Sequence, residues 1–405
     1  MERNLSSTHC LERQVQALFE TAPGSPVAVG AEVECLTRDG DDSSRRRVVT
    51  AERLLAALAT DPVLASHARF SIEPGGQLES SPAPVSSPRL LDERLRALHA
   101  RTERLLASNG IDLVLEPVDA ARTAEEIGLQ APADRYRVMQ RHFDAIGPAG
   151  RQMMRRTASL QICVALGAGR VGRDQWFLAN MAAPALAAAF TWWPSGTAET
   201  RLSIWRDVDP SRTGLDGWQV DRRQPSAAYA SFALAAEAMP LPRGDGSDDA
   251  LPFRRPFGEW LAGAGDRPDA ADIAHHLSTL FPPVRPRGDY LELRFIDAQP
   301  AELNVVPIAL LATLLIDDAA RDAALEIVGT DPGMLPVAWR RAAADPQDAT
   351  LRATAAALFD LVVVRARTDH RLATWLPAGA AERLAQYAER RLTAGQADGR
   401  IAGAA

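Results

Sequence analysis

The sequence predicts an α+β fold, an antiparallel β-sheet covered by helices on one face. Three observations predict it. Short runs of alternating polar and apolar residues, the pattern of half-buried strands, are interspersed with longer stretches of helical periodicity. The segment Glu73-Pro74-Gly75-Gly76-Gln77 reads as a tight hairpin turn, which forces at least one antiparallel pair. No Gly-rich loop joins a strand-like run to a helix, as a phosphate or dinucleotide site in a parallel sheet would need.

In chain order, strand-like runs fall at residues 27–37, 69–81 (two strands around the turn), 111–115, 157–166, 200–207 and 289–297. A curved antiparallel sheet of about six strands drawn from these runs is expected. Helical periodicity falls at 11–22, 50–58, 88–108, 133–145, 173–189, 225–238, 270–280 and 302–315, and through much of the region after Asp317. Pro88 behind Ser87 is a good helix start, and Asn109–Gly110 a good stop. Residues 240–269, rich in Pro, Gly and Asp, read as a surface excursion, and 318–405 as a helical C-terminal part of one domain spanning 1–405.

Composition narrows the function. With 46% hydrophobic and 24% charged residues the chain reads as an ordinary globular protein, and its net charge of −7 argues against a general nucleic-acid binder. Residues 1–14 lack a basic segment followed by an apolar run, so no export signal is expected. The longest apolar stretch, 305–316, is too short to span a bilayer and reads as a buried helix. Cys10, Cys35 and Cys163 lie far apart without metal-ligand spacing, which points to a reduced, cytoplasmic protein. All 45 basic residues are arginine. The absence of lysine excludes a Schiff base, a lysine general base and a lysine phosphate loop. Anionic ligands must be held by arginine, backbone N–H groups or a metal.

The strands carry chemistry on one face. Residues two apart on a strand share a face. Glu32 and Glu34 therefore oppose Ala31, Val33 and Cys35, while Glu73, Gln77 and Glu79 oppose Phe70, Ile72 and Leu78 across a three-residue turn. Thr157, Ser159 and Gln161 oppose Ala158, Leu160 and Ile162; Arg201 and Ser203 oppose Leu202 and Ile204. Tyr290, Glu292 and Arg294 oppose Leu291, Leu293 and Phe295. A solvated polar face is the default for any single strand. Five Glu and two Arg gathered on one face are harder to explain that way, because neighbouring carboxylates repel unless a cation intervenes. Hard divalent cations are the usual remedy, and Mg²⁺ pairs a few carboxylates with substrate phosphates. The pattern reaches a metal–nucleotide site and stops short of a substrate.

Several segments also carry a resemblance: GAEVE at 30–34, FSIEPGGQLESS at 70–81, DRYRVM at 134–139, MMRRTASLQ at 153–161, RLSIWRDVDPSRTG at 201–214 and HHLSTLFPPVRPRGDYLELRFID at 275–297. In this order they resemble the plant-type glutamate–cysteine ligases, including the actinobacterial branch that opens ergothioneine biosynthesis. The resemblance implies a glutamine-synthetase-like bowl of antiparallel strands with the active site inside. It implies that ATP phosphorylates the glutamate γ-carboxylate and that the cysteine amine attacks the acyl phosphate. Carried over, Glu32, Glu34, Glu73, Glu79 and Glu292 are the Mg²⁺ candidates. Gln77, Thr157, Ser159, Gln161 and Tyr290 line the bowl with Trp205, and Arg201, Arg206, Arg212 and Arg294 are clamps for phosphate or carboxylate, with Arg201 and Arg294 the catalytic pair. Arg156 falls on the apolar parity and reads as structural, and His276 as a packing or capping residue. Cys163 and Ala165 stand where many relatives have Asn and Asp, and a small apolar role is expected of Cys163. Two alternatives stay open: a carboxylate–amine ligase with another acceptor, and a non-catalytic binding protein on the same scaffold, against which the retained carboxylates argue. A metal-dependent hydrolase would want His and Asp ligands, and the chain has only seven His.

Overall fold

A computed structural model describes residues 7–393 except positions 23, 132, 193–198, 216–219, 240, 242–253 and 264–267. Its centre is an entirely antiparallel seven-stranded sheet. The strands are β1 (Val29–Asp39), β2 (Ala68–Ile72), β3 (Leu78–Pro82), β4 (Ile111–Val114), β5 (Ser159–Ala165), β6 (Val284–Pro286) and β7 (Tyr290–Asp297). Their order is β2-β3-β1-β5-β7-β6, with β4 pairing the second half of β1. The eleven-residue β1 is the spine, because its two halves serve different neighbours.

Alternation sorts the sheet as its residues predict. Ala31, Val33 and Cys35 of β1 join Leu160, Ile162 and Val164 of β5 and Leu291 and Leu293 of β7 in the main core. Helices Pro88–Ala107, Arg170–Phe190 and Val305–Ile316 supply the other side of that core. Val305–Ile316 is buried from Val305 to Leu315, the core helix its length suggested. Among the described residues no single helix is long and apolar enough to cross a membrane.

The hairpin turn has the expected three residues, with Ile72 opposite Leu78 and the Glu73 N–H donating to the Gln77 carbonyl at 2.9 Å. Gly76 adopts φ +84, where a side chain is strained. A Cβ on Gly75 would lie 2.3 Å from the Arg155 carbonyl oxygen. The turn thus abuts the end of helix Ala149–Arg156, an approach only glycine permits.

Two expectations are corrected and one strand is added. Residues 200–207 are not a strand but the helix Arg201–Arg206, because Thr200 and Ser203 form a reciprocal capping box that nucleates a turn. Strand β6 has three residues, one a proline, and is too short for alternation to reveal. The 240–269 segment is not wholly a surface excursion: much of it lies outside the described residues, but Phe257 opens helix Phe257–Ala262, is fully buried and stacks on His276 at 3.9 Å. Helices also lie over the polar face, where Asp134–Asp144, Ala149–Arg156 and Arg201–Arg206 help close a cavity. The C-terminal part is helical through Ala349–Thr368 and Ala380–Ala388, and residues 394–405 lie outside the described residues.

Candidate active site

The polar side chains of β1, β3 and β5 meet because register places them opposite one another. Glu34 faces Glu79 across the β1–β3 pair, and Glu32 faces Gln161 across β1–β5. Directly opposed carboxylates repel, so each needs compensation. Glu34 has it: it accepts from the Ser159 N–H at 2.8 Å, the Ser159 hydroxyl at 2.9 Å and the Gln161 amide at 2.8 Å. Glu79 accepts from the Ser71 hydroxyl at 2.8 Å and the Ser81 hydroxyl at 3.3 Å. Among the described residues no protein donor reaches the side chains of Glu32 and Glu73.

The consequence is electrostatic. Burial, reinforced by the charges of Glu79 and Glu292, pushes Glu32 up to about 7. Burial with Glu34 and Glu79 beside it pushes Glu73 up to about 8. Glu79 is raised by burial and Glu34, partly offset by its Ser71 hydrogen bond. All of them line one cavity of about 210 Å³. Carboxylates held this far from their ordinary range are short of positive charge, which a hard cation would supply.

The opposite end is basic. The β5–β7 register slips between the Leu160–Ile296 and Ile162–Leu293 pairs, so β7 carries one extra residue there. This bulge lies at Arg294, whose guanidinium hydrogen-bonds both Gln161 and Glu292. Arg287 reaches Glu292 at 3.4 Å and Arg285 at 3.9 Å. Burial alone would raise Glu292, but Arg294, Arg285 and Arg287 hold it below the usual carboxylate range. Trp205 and Phe281 meet edge to face at 6.3 Å and wall this end, each within about 6 Å of the Arg294 guanidinium.

Of the sequence-predicted residues, Glu32, Glu34, Glu73, Glu79, Glu292, Gln77, Thr157, Gln161, Trp205 and Arg294 line the cavity. The side-chain polar atoms of Gln77 are engaged in structure: its amide donates to the carbonyls of Thr157 at 2.8 Å and Met154 at 3.3 Å, and its oxygen accepts from the Gly75 N–H. Ser159 stands one step back, holding Glu34. Four assignments are relocated. Arg201, carried off the sheet by its helix, donates to the Arg294 carbonyl at 3.0 Å and lies 3.8 Å from Asp297, so it supports the strand behind the cavity. Arg212 is fully buried on Asp209 and the Thr279 hydroxyl and carbonyl. Arg206 turns to Asp207, and Tyr290 takes a 3.5 Å contact from Arg287 outside the lining. Cys163 faces Glu292 in register yet lies outside the lining, and burial pushes its thiol well above the ordinary range. His276 packs as expected, bonded to the Ala233 carbonyl at 2.7 Å.

Sequence reasoning passed over Arg135, Tyr136, Met139, Met153, Met154, Phe281, Arg285 and Arg287, all of which line the cavity. They lie in segments already singled out by resemblance, but on helices, a loop and a three-residue strand where the two-residue period says nothing. A larger cleft, about 1120 Å³, runs past Phe177, Arg222, Ser231 and Pro332; among the described residues Asp221 is its only carboxylate.

The fold has a counterpart among solved structures. A crystal structure of glutamate–cysteine ligase (gshA) from Francisella tularensis in complex with AMP is similar over 92% of this chain and 83% of that one, with a TM-score of 0.53 and 14% sequence identity. That likeness is one of fold. The sequence carries the rest: residues 28–393 match the model of glutamate-cysteine ligase family 2 (GCS2), and the chain belongs to this family. Among curated relatives, the glutamate–cysteine ligase EgtA of Mycolicibacterium smegmatis is 34% identical over 78% of this chain and 74% of its own length. EgtA of Mycobacterium tuberculosis (strain H37Rv) is 32% identical over 78% and 73%. The chloroplastic glutamate–cysteine ligase of Arabidopsis thaliana is 28% identical over 64% and 51%.

Proposed function

We propose that the chain joins the γ-carboxylate of glutamate to the amine of cysteine at the expense of ATP, with Mg²⁺, through a γ-glutamyl phosphate. One observation carries the reading: a single cavity holds an under-compensated carboxylate cluster at one end and three converging arginines at the other. A carboxylate does not acylate an amine in water, so its oxygen first takes the terminal phosphoryl group of ATP and ADP leaves. The amine nitrogen then bonds to the acyl carbon, the carbon–oxygen bond to phosphate breaks, and the ammonium proton is lost to solvent. Such chemistry asks chiefly for positioning and charge neutralisation.

The donor set fits Mg²⁺. Glu32, Glu73 and Glu79 would hold it, with Glu34 ordered behind them by Ser159 and Gln161. When bound, Mg²⁺ neutralises phosphate charge and returns the raised carboxyls to their ionised form. Arg294, Arg285 and Arg287 grip phosphate oxygens, a duty no lysine is available to share. Glu292 pairs with all three guanidiniums and so holds them together at this end of the cavity, where it would also be within the reach of a cation's ligand set. Arg201 holds Arg294 through its backbone carbonyl. Residues 1–405 form one catalytic unit, and three unpaired cysteines suit a reducing cytoplasm where cysteine itself is available. The relatives named EgtA support a place at the entry to ergothioneine or a similar small thiol.

The test is direct. Purified protein with Mg²⁺, ATP, glutamate and cysteine should release ADP and phosphate and accumulate γ-glutamylcysteine by mass. Absence of the amide, or another amine outcompeting cysteine many-fold, refutes the reading.

A further inference from the structure

Behind the basic end of the active-site cavity lies a second, smaller cavity of about 30 Å³. Trp205, Phe281 and Arg294 line both and form the wall between them. On the far side stand Arg201, which is only 5% exposed, and apolar side chains that include Leu202, Leu215 and Phe295. Three N–H donors of this lining are buried without an acceptor among the described residues: Nε of Arg201, Nε1 of Trp205 and Nε of Arg294. They belong together, since the Arg201 and Arg294 guanidiniums lie 5.2 and 6.0 Å from the Trp205 ring. One orphaned buried donor is costly, and three around one small cavity call for a shared acceptor. Charge is unbalanced there as well. Asp297 is 3.8 Å from Arg201, and among the described residues no carboxylate lines the cavity. Burial pulls the Arg201 guanidinium below its ordinary range, Asp297 and Glu34 offset part of that, and Arg294 adds its repulsion.

We propose that the smaller cavity is a binding site for a monatomic anion such as chloride, held by the N–H groups of Arg201, Trp205 and Arg294. An anion needs donors only, accepts from all three and meets the excess positive charge. A water would also have to donate twice, and the lining offers it little: the Thr213 hydroxyl is committed to the Asp209 carbonyl, and Leu202, Leu215 and Phe295 are apolar. The volume admits about one or two waters, and so one halide. A phosphate would leave several charged oxygens against those apolar side chains without donors, which is costly. The site is distinct from the carboxylate cluster and braces the active-site cavity from outside. Arg294 has two working edges: one nitrogen bonds Gln161 and Glu292 inside the active-site cavity, and the Nε edge is left for the anion.

The experiment reads binding on the full chain without turnover, so its result is independent of the ligase reading. Melting is followed as chloride replaces gluconate, an anion too large for the cavity, at constant ionic strength. The parent should gain several degrees, saturably, and bromide should substitute for chloride. A crystal soaked in bromide should show one anomalous peak within hydrogen-bond reach of all three nitrogens. Arg201→Gln should abolish both the saturable gain and the peak. Trp205→Phe keeps the ring and removes only the indole N–H, so it should raise the half-saturating chloride concentration by about threefold or more, and it serves alone if Arg201→Gln does not fold. Coincident melting curves in chloride and gluconate overturn the proposal, as does a cavity that holds only ordered water. So does a bromide peak without any melting gain, which is binding at crystal concentration only, and so does a gain that survives unchanged in the variants, which is a general salt effect.

Discussion

Replacing Glu73 with glutamine keeps the size of the side chain and removes its charge, and should move stability and function in opposite directions. In the metal-free protein burial, then Glu34 and Glu79, push Glu73 up to about 8 from an ordinary 4.5. As pH rises the unfolded chain releases this proton first, so between 4.5 and about 8 the native state binds more protons and stability falls with rising pH. Assigned to Glu73 alone, that loss amounts to about 3 kcal/mol at neutral pH relative to acid pH. Glutamine is the neutral isostere and avoids it. In EDTA at about pH 7.5, Glu73→Gln should therefore melt several degrees above the parent, with the gap closing towards about pH 5. Adding Mg²⁺ and ATP should reverse the order, because the parent gains binding stabilisation that the variant has lost. Turnover should fall by roughly 2–4 kcal/mol in transition-state terms, the scale for one lost electrostatic contact. Calorimetry in both buffers, followed by kinetics, reads all of this. A variant that melts below the parent in EDTA while retaining its full Mg²⁺ response refutes the electrostatic reasoning and the metal assignment together.

Arginine-to-lysine substitutions should separate the cavity arginine from its support. Arg294→Lys should lower kcat/KM by about tenfold or more, whereas Arg201→Lys should chiefly lower the melting temperature, by the equivalent of roughly 1–3 kcal/mol, since a buried fork on the Arg294 carbonyl and Asp297 is lost. Equal kinetic damage from both would place Arg201 at the substrate. His276 supplies a pH test in the opposite direction: burial, with Arg212 nearby, lowers it from 6.5 to about 3, so it stays neutral in the native state while the unfolded chain takes up a proton below 6.5. Its contribution is lost as pH falls, about 2 kcal/mol between pH 7 and pH 5. In urea unfolding, His276→Gln should flatten that part of the stability profile, and an unchanged slope would assign it to other groups.

The candidate site was half legible in advance. Strand alternation placed Glu32, Glu34, Glu73, Glu79 and Glu292 on one face, and all five line the cavity, because a period of two residues is a local property that register merely aligns. The same rule misplaced Arg201: Leu202 and Ile204 alternate with polar neighbours in a strand, but both are also buried in a helix, and the Thr200–Ser203 capping box decided between the two. Arginines were recognised as anion holders from the absence of lysine, yet nothing local separates Arg212, wholly buried on Asp209 and Thr279, from Arg285 at the cavity.

By itself, then, the sequence determined the antiparallel hairpin, the apolar and acidic faces of the sheet, the buried 305–316 helix and the family. These depend on periodicity and on residue types in order, which survive without coordinates. Tertiary structure alone decided which cations meet the carboxylates. Arg294 reaches Gln161 through a bulge that exists only where β5 pairs β7, more than a hundred residues away in the chain. Met153 and Met154 reach the cavity where Gly75 lets helix Ala149–Arg156 close on the hairpin turn. Such contacts are settled by packing between distant segments, where side-chain volume and backbone approach set the geometry, and no local period records them.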